Sequence, residues 1–359
     1  MVSLGGAASF WRILGEIRPG AIKAEAEKSF CILICGEPGA GKRTLRGALV
    51  GSRWPTEGTL PYVRIVEGTP TDTFGAGLAL YVVDATRGLF RSHWDGVARL
   101  AASGIPVVRV FNKLDLVPDP TDFERQARRS LHGELHGELH GELQREKEPV
   151  VFVEAVDATS VRRKLAPELL RAAPGLRLAL GRRLPLLRDE AAAQVIDETS
   201  RVNAEFAILS SLPANIPLLS LGTVGADLIV MTKNQAMMLV KLAAIHGRPL
   251  DAPFRLAAEL APVVGAAFLW RTIARSLVAL LPGEVSAVPK TLIAFVGTSV
   301  VGRAAQTYYR SGTRPTRASI DAYTRDALAA ARRVLPTLRI PGRGKQPETP
   351  EALPPAEAT

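Results

Sequence analysis

Phe30-Cys31-Ile32-Leu33-Ile34-Cys35-Gly36-Glu37-Pro38-Gly39-Ala40-Gly41-Lys42-Arg43-Thr44-Leu45 decides how the chain folds. The apolar run from Phe30 to Cys35 is uninterrupted, as in a strand buried on both faces. Gly36 breaks it, Gly39 and Gly41 follow, and a helix-compatible segment opens at Lys42. A strand, a glycine loop and a helix start make a phosphate cradle, because glycines let backbone N–H groups turn inward on an anion. Gly36, Gly41 and Lys42 meet the pattern G-x-x-x-x-G-K, with Lys42 placed to reach β- and γ-phosphates. A Ser or Thr that ligates Mg²⁺ belongs next. Here Arg43 stands there, with Thr44 one place later. The expected phosphate contacts are therefore Gly36, Gly39, Ala40, Gly41, Lys42, Arg43 and Thr44.

Further strands are read at Tyr62–Val66, Leu78–Val83, Pro106–Phe111 and Val150–Val153. Helical patterns lie between them, among them His93–Ser103 with Gly104 as its cap. This alternation predicts an α/β fold, a doubly wound parallel sheet of the P-loop NTPase kind. Ligands bind such sheets at the carboxyl ends of the strands. Gly36–Thr44, Glu67–Pro70, Asn112–Asp115 and Glu154–Ala155 each fall just past a strand, so they can converge on one site.

Asn112-Lys113-Leu114-Asp115 ends the run Pro106–Phe111, about 70 residues after the phosphate loop. A carboxylate at Asp115 can accept hydrogen bonds from both N1–H and N2–H₂ of guanine. Adenine offers no such pair and would leave a buried charge unpaired. The Lys113 stem can cover the base plane.

With these motifs, residues 30–165 resemble the small GTPase domains of the Era-like, translation-factor-related class. The resemblance rests on Gly36–Lys42, on Asn112–Asp115 and on Tyr81–Leu89 as the strand before the guanine motif. It implies GTP or GDP as ligand and places Glu154-Ala155 where the family has Ser-Ala, whose backbone approaches the base. The family's Asp-x-x-Gly falls on Glu67-Gly68-Thr69-Pro70, which keeps a carboxylate but lacks the glycine N–H that senses the γ-phosphate. Thr59 falls near the family's switch threonine, and no glutamine lies nearby to orient a water. Nucleotide binding is expected to persist better than hydrolysis. Thr44 and Glu67 are the candidate Mg²⁺ ligands, and Arg43 is an alternative fixed cation beside the phosphates.

The 359 residues leave room for a second domain. The 47% hydrophobic content is ample for buried cores, and the net charge is +10. Cys31 and Cys35 lie about 13 Å apart on an extended strand, too far for a disulfide. They read as core residues of a protein in a reducing cytoplasm. No basic-then-apolar leader is read at the N-terminus. Residues 161–188 carry eight basic residues and one acid among leucines. That composition suits a solvated helix, an anionic membrane or an acidic partner. Aromatics for stacking on bases are almost absent, so nucleic acid is not favoured. Residues 131–143 repeat Leu-His-Gly-Glu three times, putting His132, His136 and His140 on one helix face. Such a face could take Zn²⁺ or Ni²⁺, but an exposed repeat expansion is the plainer reading.

From residue 189 an all-α helical domain is expected, after an N-terminal helical segment (1–29) and the G domain (30–188). Residues 206–226 are free of charge but interrupted by Pro213 and Pro217. Residues 262–281 contain Arg271 and Arg275, each costly in lipid. A packed helical domain is expected, with association through 161–302 at the inner membrane as the alternative. Asn215–Pro217, Thr232–Met238, Ala243–Gly247, Leu281–Gly283 and Gly297–Thr298 with Val301–Ala304 resemble the bacterial YcjF-like helical domain, often found beside Era-like GTPase domains. Some relatives are described as inner-membrane proteins, and no activity carries over. Asn234, Gln235 and Arg303 are expected to satisfy buried backbone groups. Residues 313–359 read as a surface helix, Ile320–Val334, and a Pro/Glu/Ala-rich tail.

The leading functional expectation is a guanine-nucleotide-binding protein with weak GTPase chemistry, whose helical half passes nucleotide state to a membrane or protein partner. The alternative is a non-hydrolysing scaffold. An enzyme acting through the helical half finds no supporting carboxylate pair, Ser/His set or metal spacing.

Overall fold

A computed structural model describes residues 19–51, 62–70, 72–89, 91–131, 149–209, 226–250 and 290–337. The segment Phe10–Ile17, Thr56, Thr59, the His132/His136/His140 repeat, residues 210–225, the apolar run 262–281 and the tail beyond 337 lie outside the described residues.

Helix α1 (Pro19–Glu27) precedes β1 (Ile32–Gly36), whose five residues are all buried. Cys31 stands just before the strand, and Cys35 lies inside it. Burial pushes the Cys35 thiol up to about 12, with nearby Lys42 pulling the other way, so it stays protonated. The glycine loop leads into α2 (Lys42–Val50). Then come β2 (Val63–Ile65), β3 (Leu78–Asp84), α3 (Arg91–Ala102), β4 (Val107–Asn112), α4 (Pro120–Leu131) and β5 (Val150–Phe152).

The strands pair in the order β2-β1-β3-β4-β5, all parallel. β1 sits between β2 and β3, so the winding reverses beside it, and sheets of this kind take ligands at the carboxyl edge beside such a reversal. Residues of β3 and β4 are buried throughout, Arg109 of β4 among them, as in a sheet covered on both faces. Phe111 and Phe152 stack across β4 and β5 at 5.2 Å, and Phe123 of α4 meets Phe111 edge-on at 5.5 Å.

A π-helical piece, Val161–Leu165, leads into α5 (Ala166–Ala172), followed by α6 (Arg177–Arg183) and α7 (Pro185–Leu209). The helical half continues with α8 (Ala226–Ile245), α9 (Lys290–Ser311) and α10 (Arg317–Val334). α7 packs most extensively on α9 and also touches α2, α5, α6 and α8. A single cluster of buried apolar side chains runs from Ile32 and Leu45 through Leu187 and Ile196 to Val300 and Ala331. Gly302 of α9 lets the helices close. A Cβ there would lie 2.7 Å from Ile196 and 3.1 Å from the Met238 sulfur.

The basic, leucine-rich stretch 161–188 does not present its leucines to lipid. Leu165, Leu169, Leu170, Leu176, Leu178, Leu180, Leu184, Leu186 and Leu187 are all buried in the core. Many of its cations hold the fold together. Arg188 donates to the Gly181 and Arg182 carbonyls at the end of α6, and Arg182 donates to Ala244 O of α8. Arg177 pairs with Glu198 at 2.5 Å, and Lys164 with Glu154 at 3.5 Å. Among the described residues, no helix is long and apolar enough to cross a membrane.

The polar residues of the helical half satisfy one another more than the backbone. Buried Asn203 donates to Thr298 Oγ1 (2.9 Å) and accepts from Asn234 Nδ2 (2.8 Å), while Gln235 Nε2 donates to Thr298 Oγ1 (3.1 Å). This knot ties α7, α8 and α9 together. Arg303 faces Asp326 of α10 at 3.5 Å rather than a backbone group.

Candidate nucleotide site

Two glycines of the loop are demanded by their surroundings. Gly36 has φ +126°, and a Cβ there would fall 2.0 Å from Val82 O of β3. Gly41 has φ +89°, and a Cβ there would meet Asn112 Nδ2 at 2.2 Å. L-residues with side chains avoid such φ values.

Asn112, the last residue of β4, is the joint of the site. Its buried amide donates to Ala40 O in the phosphate loop (2.9 Å), and its Oδ1 accepts from the Ala155 N–H (2.8 Å). The loop, the Asn112–Asp115 segment and the Glu154–Ala155 segment are thus brought together, as their positions past β1, β4 and β5 predict. The Ala155 N–H is engaged by Asn112, so it reaches a ligand only by giving up that bond. Glu154 N–H donates to Ser160 Oγ at 3.1 Å.

Lys42 is 3% exposed. Its ammonium donates to Gly36 O (2.9 Å) and Glu37 O (2.5 Å) and pairs with Glu67 at 2.5 Å. Any phosphate that engages Lys42 trades for one of these contacts. Arg43 and Thr44 are exposed on the first turn of α2. Asp115 is exposed, with no hydrogen bond or ion pair to another described residue. Lys113 sits in the left-handed region at φ +64°. Its Nζ is held on Asp84 at 2.6 Å rather than pointing outward.

Asp84 is the residue that reading the sequence left out of the site. It ends β3 beside the loop, where a carboxylate closing a fully apolar strand was the available signal. Burial alone would raise its carboxyl. Hydrogen bonds from Lys113 and from the Thr86 hydroxyl and N–H outweigh it and hold the group below the usual carboxylate range. His93 was also unforeseen. Fully buried near the start of α3, its Nε2 lies 3.0 Å from Glu37 of the loop. Nothing in its sequence surroundings singles it out.

A divalent cation fits the expected ligands poorly. The Glu67 carboxylate already faces an ammonium at 2.5 Å, and Arg43 puts a positive charge where a hydroxyl would ligate. Among the described residues no group of three or more His, Cys, Asp or Glu could hold a metal ion.

The tRNA modification GTPase MnmE of Burkholderia thailandensis is 30% identical in an alignment of 146 residues, which takes in 32% of this chain and 30% of that protein. Two solved structures share less. They are the translation elongation factor SelB from Methanococcus maripaludis in its apo form and a bacterial selenocysteine-specific elongation factor EF-Sec, at 18% and 19% identity. They cover 35% and 40% of this chain and 30% and 29% of theirs, with TM-scores of 0.26 and 0.27, too low to add to the topology already described. No protein-family model matches the chain. The sheet half has the doubly wound parallel topology of the P-loop NTPase fold and is similar to a GTPase over the aligned residues, and a helical region follows it. The chain spans under a third of the length of each of these relatives.

Proposed function

We propose that the chain binds a guanine nucleotide at the carboxyl edge of the sheet and couples its occupancy to the helical half. The Asn112 amide carries this reading. It bonds to the phosphate loop and to Ala155, and so supports a single site shared by the loop and the Asn112–Asp115 segment. Loop N–H groups and Lys42 would take the phosphates, and the exposed Asp115 carboxylate would take the N1–H and N2–H₂ edge of guanine. The Lys113 stem would cover the base after leaving Asp84. Similarity to a GTPase over the aligned residues supports the choice of guanine.

Hydrolysis is slow or absent in this reading. Pro70 offers no N–H to a γ-phosphate, and Arg43 replaces a metal-binding hydroxyl. The Era-like and YcjF-like resemblances support a G domain working with a helical module. Here that module is fastened to α2, the helix that follows the phosphate loop, through α7. A membrane contact through 161–188 is carried no further, since its leucines lie in the core.

Equilibrium binding of GTP, GDP, ATP and xanthosine nucleotides tests the reading. GDP should bind at least tenfold more tightly than ADP, and Asp115→Asn should shift preference toward xanthosine diphosphate by a similar factor, about 1.4 kcal/mol or more. An Asp115→Asn protein that keeps its guanine preference would refute the assignment.

A further inference from the structure

The Lys42 ammonium has three N–H bonds to give. Two are held by the loop's own Gly36 and Glu37 carbonyls, and on the remaining side Glu67 Oε2 stands at 2.5 Å. The main chain beside Glu67 is fixed. The neighbouring Gly68 is zipped to Gly36 by two backbone hydrogen bonds, Gly36 N to Gly68 O (2.9 Å) and Gly68 N to Gly36 O (2.8 Å). That bridge fastens the segment three residues past β2 directly onto the first residue of the phosphate loop. The Glu67 side chain is 60% exposed, so its carboxylate lines the mouth of the cradle rather than the core.

The same segment offers little to an additional phosphate. Pro70 has no N–H, and the Thr69 hydroxyl is turned toward Tyr81 OH at 3.4 Å. The nearby cations Arg87 and Lys113 face Asp84, and Arg87 also faces Glu37. Arg43 opposes Glu67 in charge, but it is exposed and screened by solvent.

We propose that Glu67 makes this site selective for a nucleoside diphosphate over a triphosphate. The proposal rests on the nucleotide-site reading above and deepens it. The terminal phosphate of a diphosphate can be met by the N–H groups of the loop. A γ-phosphate adds its own charge beside the Glu67 carboxylate already on Lys42, and the like charges repel at close range.

The test is calorimetric titration of the full chain with GDP and GTP, in EDTA and again in Mg²⁺. Wild-type protein should favour GDP by about tenfold or more in both buffers. Glu67→Gln should tighten GTP more than GDP and bring the ratio within about threefold, while Glu67→Asp keeps the wild-type preference. Glu67 is largely exposed, and matched circular dichroism melts would show the variants folded. Equal affinities in wild type, or an unchanged ratio in Glu67→Gln, would overturn the proposal and leave the nucleotide site standing. So would a GTP preference that appears only with Mg²⁺, which would make Glu67 a metal ligand. Absence of binding by either nucleotide would overturn the site and the proposal together.

Discussion

Replacing Gly41 by alanine tests how the phosphate loop and the guanine motif are joined. Gly41 holds φ +89°, and an added Cβ would lie 2.2 Å from Asn112 Nδ2. The backbone conformation alone costs an alanine about 1 kcal/mol or slightly more. The clash must also push the Asn112 amide away from Ala40 O and Ala155 N. Two buried hydrogen bonds are then lost, and their partners are left unsatisfied, which adds about 2–3 kcal/mol. The expected loss of stability is therefore about 3–4 kcal/mol, read by urea unfolding of the full chain. Gly51 is the control, because it has φ +78° and nothing within 4 Å of its would-be Cβ. Gly51→Ala should cost only the backbone term, about 1 kcal/mol. Asn112→Ala alone should cost about 2–3 kcal/mol. If the Gly41 penalty runs through Asn112, the double variant should cost at least about 1.5 kcal/mol less than the sum of the singles. Additivity within about 0.5 kcal/mol, or a Gly41→Ala no worse than Gly51→Ala, would refute the reasoning.

The knot in the helical half gives a second prediction. Thr298→Val removes the acceptor shared by Asn203 and Gln235 and should destabilise by about 1–3 kcal/mol, with nucleotide affinity little changed if the knot is purely architectural. His246 gives a third. Burial first, and the Arg188 charge next, push its imidazole down to about 4, so the folded state resists a proton that the unfolded state accepts near 6.5. Its contribution is complete above pH 6.5 and is lost as pH falls from there toward 4. After allowance for solvent screening this is about 1–2 kcal/mol, and His246→Phe should flatten the slope of urea stability against pH over that window.

The sheet was legible because its central strands are largely apolar runs that end in a glycine, aspartate or asparagine. Ile32–Gly36 and Leu78–Asp84 follow that rule, and Val107–Asn112 departs from it only at the buried Arg109. The positions of Lys42, past the carboxyl end of β1, and of Asn112, at the carboxyl end of β4, were legible for the same reason, since strand ends are read from the sequence pattern. Their bonding partners were not legible. That Lys42 turns onto Glu67, Lys113 onto Asp84 and His93 onto Glu37 depends on tertiary juxtaposition across strands and helices far apart in sequence. The basic stretch 161–188 misled in the same way. Composition records charge and leucine content, but not that Arg182 and Arg188 close helix ends while the leucines face inward.

The long helix α7, Pro185–Leu209, straddles the place where composition suggests a cut between two halves. Scissors applied at residue 188 would fall within its first turn. Leu186 and Leu187 would stay with one fragment, and Ala191, Val195 and Ile196 would go with the other, though all five belong to the same buried layer. Each fragment would bare a raw apolar wall and invite self-association, so the nucleotide-binding half is properly studied with its helices still attached.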